Sequence, residues 1–139
     1  MSVEETESTI RQYLAALVAG GDFASYFAED VAWTMMETGD QLRGREAVRD
    51  YIVNLHRRLF EATPELIHST FADGVAGLEA VFVGTHKPEF AGVPAAGAAV
   101  RLPYTMFYDV SGAQIVALRA YFPINALVQQ LQDPALARA

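Results

Sequence analysis

Chemistry in this chain has to come from carboxylates, phenols and three histidines, because the sequence holds no cysteine to act as nucleophile or thiolate ligand. The segment VAWTMME, residues 31–37, is rich in β-branched and aromatic residues and reads as a strand. With Met35 turned inward, the strand period of two carries Trp33 and Glu37 to the same side. A carboxylate enclosed by Trp33, Met35 and Phe107 has its pKa raised by desolvation and can act as a general base near neutral pH. Glu37 is therefore the first candidate base; the alternative is a solvated strand end, since a one-residue slip in register reverses its face. His86, in GTH, is either a proton shuttle or a hydrogen-bonded loop anchor, and His56 and His68 complete the set.

The same alternation assigns Arg101, Pro103, Thr105 and Phe107 to the pocket side of a later strand. In IVALRAYFP, residues 115–123, the pocket side carries Leu118, Ala120 and Phe122, with no acid among them. Arg119 and Tyr121 fall on the outer face. With Met106 they form an apolar patch there, which suggests a homodimer joined through the sheets, Arg119 pairing with an acid across or beside that interface. The histidines and acids show no spacing such as H-x-x-x-H, so no metal is expected. No Gly-rich strand-to-helix loop and no G-x-S-x-G elbow occurs, which argues against a nucleotide cofactor and against serine hydrolysis. No cofactor is expected.

These residues need a scaffold, and the hydrophobic period supplies one. Ile10, Tyr13, Leu14, Leu17 and Val18 recur at helical spacing after an acidic first turn, and Gly20–Asp22 ends that helix. FASYFAED, residues 23–30, suits a short second helix. A third, over 45–60, places Val48, Tyr51, Ile52, Leu55 and Leu59 on one face, with Pro64 beyond its end. From about Glu65 the pattern is that of strands separated by DG, AGVPAAGA and SG. Helices followed by hairpin-linked strands indicate an α+β domain whose curved antiparallel sheet wraps around the helices. The tail starts as a short helix and frays over about 130–139. At 139 residues and 52% hydrophobic content the chain is read as one domain, 1–139, with enough apolar surface to line a pocket. A formal net charge of −7 disfavours nucleic acid and anionic membranes as partners. The polar, acidic N-terminus and the lack of a long apolar run lead to a cytoplasmic expectation.

IRQYLAALVAGGDFASYFAEDVAW, LRGREAVRDYI and GTHKPEFAGVPAAGAAVRLPYTMFYDVSGAQIVALRAYF together resemble the SnoaL-like branch of the nuclear-transport-factor-like superfamily. The likeness covers nearly the whole chain. It implies a cone-shaped barrel of one bent sheet closed by three N-terminal helices, with an apolar pocket at the wide end. The superfamily includes polyketide cyclases, ketosteroid isomerases, epoxide hydrolases and dehydratases as well as binding proteins, so the pocket residues must decide the function. By this resemblance Tyr13 takes the place of an oxyanion donor, while Met35, Thr105 and Ala120 stand where relatives carry acids. A tyrosine on a buried helical face is also an ordinary core residue, and both readings of Tyr13 stand.

Two functions follow. One is a cofactor-independent cyclase, isomerase or dehydratase acting on a hydrophobic carbonyl compound such as a polyketide or terpenoid intermediate, with Glu37 or His86 as base and Tyr13 as donor. The other is a small-molecule-binding protein that uses the same pocket without chemistry.

Overall fold

A computed structural model of the chain describes residues 2–86 and 99–132. Helix α1 spans Val3–Ala19. Ser2 starts it by accepting the Glu5 N–H at 3.1 Å, and Glu4 and Glu5 favour the positive end of the helix dipole. Gly20, at φ 74°, turns the chain out of the helix. The buried face carries Thr6, Thr9, Ile10, Tyr13 and Leu14. Thr6 also ties the helix to the sheet, because its Oγ1 accepts the Gly74 N–H at 2.9 Å.

Residues 23–30 depart from the expected helix. Only Phe23–Tyr26 forms a single 3-10 turn, and strand β1 already begins at Phe27 and runs to Met35. The cause is tertiary. Phe27 pairs with Ile115 on strand β6, Gln114–Tyr121, and both are fully buried, so the pairing overrides local helix propensity. A three-residue strand β2, Gln41–Arg43, follows. Helix α2 covers Arg45–Val53 and then widens into a π-helical turn over Asn54–Leu59, so the expected helix of residues 45–60 is two elements. Strands β3, Phe60–Ala72, β4, Val75–His86, and β5, Ala99–Ser111, precede β6, and helix α3, Ile124–Gln132, ends the described chain.

The strand order is β2-β1-β6-β5-β4-β3. Every neighbouring pair is antiparallel except β1 and β6, which run parallel. The sheet does not close; β2 and β3 are its edges, and the edge position is what lets β3 hold Pro64. Its inner face and the apolar faces of α1 and α2 enclose the core, where Phe27, Phe60, Phe82, Ile115, Leu118 and Leu127 are fully buried. Gln130 is buried and hydrogen-bonded, so the fraying expected from about residue 130 does not begin before Gln132; residues 133–139 lie outside the described residues, as does the Gly92–Gly97 segment.

Strand β5 corrects the expected pocket face. Val100, Leu102, Tyr104, Met106, Tyr108 and Val110 are inward and Arg101, Pro103 and Phe107 are exposed, with Thr105 half-buried. Met106 is therefore core, not outer patch. Both parities of this strand carry apolar residues, and a shift of one residue exchanges the faces. Arg119 does lie on the outer face, but its partner is Asp109 of the neighbouring strand, held by two contacts at 2.7 and 3.1 Å.

Candidate active site

A cavity of about 30 Å³ lies at the centre of the cone, between α1, the π-helical turn and the inner face of β1 and β5. Space of that size holds one or two water molecules. Its walls include Trp33 and Met35 from β1, Met106 from β5 and Phe122 just beyond β6, and four polar side chains join them: Tyr13, His56, Tyr104 and Tyr108.

The three tyrosines form one cluster. Tyr13 and Tyr108 approach edge to face at 5.8 Å between ring centroids, and Tyr13 also contacts Phe27 at 5.5 Å. Burial pushes the Tyr13 phenol far above its ordinary value, and the nearby Tyr104 raises it further. Burial likewise raises Tyr104, and Tyr108 by burial and then by Tyr13 and Tyr104. All three remain protonated across the physiological range, so each is a hydrogen-bond donor. Three protonated phenols on the wall of one small, mainly apolar cavity form a set of hydrogen-bond donors.

His56 has the complementary property. Its Nδ1 lies 2.9 Å from the Ile52 carbonyl oxygen. A carbonyl only accepts, so Nδ1 carries the proton and Nε2 keeps its lone pair. Nε2 is buried and no described group reaches it. Burial lowers the pKa of His56 from 6.5; the Ile52 carbonyl partly opposes this and the Arg57 charge adds to it, so the ring is neutral at pH 7. Phe82 packs against the imidazole at 5.3 Å. The π-helical turn contributes directly. Such turns are rare and widen the helix by one residue, and this one, Asn54–Leu59, carries His56 to the cavity wall. The sequence named His56 only as one of three histidines, and a regular helical period does not single it out within the π-helical turn.

The sequence-based candidates divide. Tyr13, Trp33, Met35 and Phe122 meet at the cavity. Leu118 and Ala120 face inward and are fully buried, but pack beneath it without lining it. Glu37 lies beyond the end of β1, exposed, where it accepts the Asn125 N–H at 3.4 Å. It borders an outer pocket with Thr105 instead of the cavity. His86 is buried at the end of β4 against Phe60 and is not part of the cavity wall. Arg101 and Phe107 point away, Arg101 toward Glu65 at 3.5 Å. Among the described residues no group of histidines and acids is placed to hold a metal ion, and no helix is long and apolar enough to cross a membrane.

A neutral base and a set of phenol donors around one apolar space can remove a proton beside a carbonyl and hold the resulting enolate oxygen. Comparisons with known proteins bear on the family and the fold. The family description SnoaL-like polyketide cyclase matches residues 9–131. Among solved structures, a candidate polyketide cyclase from Xanthomonas campestris pv. campestris is 22% identical, with TM-score 0.82, over 93% of this chain and 98% of that one. A candidate SnoaL-like polyketide cyclase from Jannaschia sp. CCS1 has TM-score 0.82 at 14% identity, over 94% of each chain. A candidate ketosteroid isomerase from Kribbella flavida DSM 17836 has TM-score 0.67 at 19% identity, over 87% of this chain and 79% of that one. At these identities the structural likeness is one of fold. No curated protein matches the chain significantly in sequence.

Proposed function

The chain belongs to the SnoaL-like polyketide cyclase family, and from that premise we propose that it is a cofactor-independent enzyme that removes a proton beside the carbonyl of an apolar substrate, with His56 as the base. The observation that carries this reading is the unpartnered Nε2 of His56 in the same cavity wall as three protonated tyrosines. Nε2 takes the α-proton, the C–H electron pair moves into the carbonyl, and the oxyanion accepts hydrogen bonds from Tyr13 and its neighbours. The enolate carbon then attacks a second carbonyl, is reprotonated at another carbon, or expels a β-hydroxyl. In each case His56 returns its proton, to the new alkoxide, to carbon or to the departing oxygen. A polyketide or terpenoid intermediate has the required carbonyl chemistry.

The test uses a simple ketone such as indanone in deuterated water, with α-proton exchange followed by NMR. Exchange is expected to hold a plateau above pH 6.5 and to fall as pH drops below it, because the lowered pKa of His56 keeps the base free throughout neutral pH. No alkaline limb is expected below pH 10, since all three tyrosines ionise above that value. The same shift makes the fold less stable in acid: the unfolded chain binds the histidine proton more readily, so stability is complete above pH 6.5 and declines below it. Phenol binding without any exchange would instead support a non-catalytic binding protein.

The homodimer belongs to the proposal as well. Phe107 is exposed on the outer sheet face and is not part of the pocket that Tyr121 lines, so it offers an apolar surface suited to a two-fold contact. Sedimentation at micromolar concentration should give twice the chain mass, and a monomer would remove this part of the reading.

A further inference from the structure

At about 30 Å³ the inner cavity admits a ring such as phenol or indanone only when its walls Tyr104 and Phe122 turn aside, and these two residues also line a second pocket of about 390 Å³ on the outside of the cone. Their rings meet at 5.2 Å and nearly at right angles, and together they separate the two spaces. The partition consists of side chains, and the sheet topology explains why. Strand β6 pairs with β5 only from Thr105 to Ser111. Residues 99–104 of β5 therefore have no strand on that side. The Gln130 amide takes its place at one position, accepting the Arg101 N–H at 2.9 Å and donating to the Arg101 carbonyl at 2.7 Å. Pro103 has no N–H to satisfy. Rotation of Tyr104 and Phe122 would join the two spaces without breaking a ladder hydrogen bond.

The lining of the outer pocket then describes what it accepts. Pro103, Tyr121 and Pro123 offer flat apolar surfaces, Glu37 and Glu79 stand at the rim, and among the described residues no lysine or arginine is in its walls. A planar ring packs well there. An anionic group meets two carboxylates on a chain of formal net charge −7. We propose that the outer pocket is a second substrate subsite, that the substrate is an elongated molecule without an anionic group, and that its carbonyl end enters past Tyr104 and Phe122 while a ring stays against Tyr121 and Pro123. This rests on the reading of the inner cavity as the reaction site. It disfavours a substrate presented as a carboxylate or on a phosphate-bearing carrier.

Binding of phenol, 4-phenylphenol and the corresponding biphenyl carboxylic acid, measured by calorimetry on the wild-type chain and Tyr121→Ala, separates the possibilities. The second ring is expected to tighten binding about tenfold by burying apolar area. Tyr121→Ala should remove most of that gain and leave phenol affinity unchanged, and the carboxylate should lose about tenfold against the uncharged biphenyl. Phenol binding with no gain from the second ring would overturn the subsite and leave the inner site standing. So would a gain indifferent to Tyr121→Ala. A carboxylate bound as well as its neutral counterpart would overturn the charge selection. Failure of all three ligands to bind would remove the inner site and the subsite together.

Discussion

Replacing His56 by glutamine should lower α-proton exchange by about a hundredfold to ten-thousandfold, the range over which positioned general bases contribute. Glutamine is close in length, and its amide can still donate to the Ile52 carbonyl that now holds Nδ1. What it lacks is a basic nitrogen. The variant should therefore keep its fold and its affinity for phenol, and lose the dependence of rate on pH below 6.5 that the wild-type histidine produces. That combination separates a base from a core residue, because a purely structural role would change unfolding temperature and ligand affinity together. A loss smaller than about tenfold, with the pH profile intact, would take the base role away from His56. Tyr13→Phe provides the companion measurement: it leaves the base in place and should weaken phenol binding, since one donor to the oxygen is gone.

How much of this was legible in the sequence depended on how many forces agreed at each residue. Tyr13 was readable because it stands at helical spacing with Ile10 and Leu17 behind an acidic first turn. Trp33, Met35 and the inward side of β6 were readable because strict alternation survives there: Leu118 and Ala120 are fully buried while Tyr121 is exposed. Strand β5 carries apolar residues on both parities, VRLPYTMFYDV, so hydrophobicity alone left its phase undetermined, and the expected phase was off by one. The beginning of β1 depends on a parallel partner about ninety residues away in sequence, which no local pattern reveals. His56 illustrates the same limit at the site itself. It lies in a π-helical turn, and a reading based on a regular helical period has no means of anticipating one. Without that turn, a histidine among arginines near a helix end reads as a solvated residue.

Gly84, in the GTH segment, should be the least replaceable glycine of the sheet. It pairs with Ala62 across β3 and β4. A Cβ placed on it would press into the Glu61 carbonyl oxygen and into Cα and Cβ of Ala62, at 2.7 and 2.6 Å for the last two. These are mainly backbone neighbours, so no rotamer change relieves the conflict, and β3 must move away from β4. The consequence reaches the site, because Phe60 begins β3 directly after the π-helical turn that holds His56. Phe60 is fully buried against Phe82, which also packs on His56, both at 5.3 Å. Gly84→Ala should therefore cost about 3 kcal/mol in urea unfolding, the upper part of the range for overpacked sites, and should also slow α-proton exchange. Gly77 is the control. A Cβ there meets the Phe107 ring and the Thr70 hydroxyl at 3.1 Å, both of them side-chain atoms that can yield. Gly77→Ala should cost less than about 1 kcal/mol, within the range of tolerated changes. Adding Ala62→Gly to Gly84→Ala removes the Cβ conflict and leaves the Glu61 carbonyl and the Cα of residue 62 in place, so it should restore part of the stability and not all of it. Gly84→Ala as stable as the wild type would mean that β3 lies farther from β4 than this register allows, and the coupling between that strand pair and His56 would fall with it.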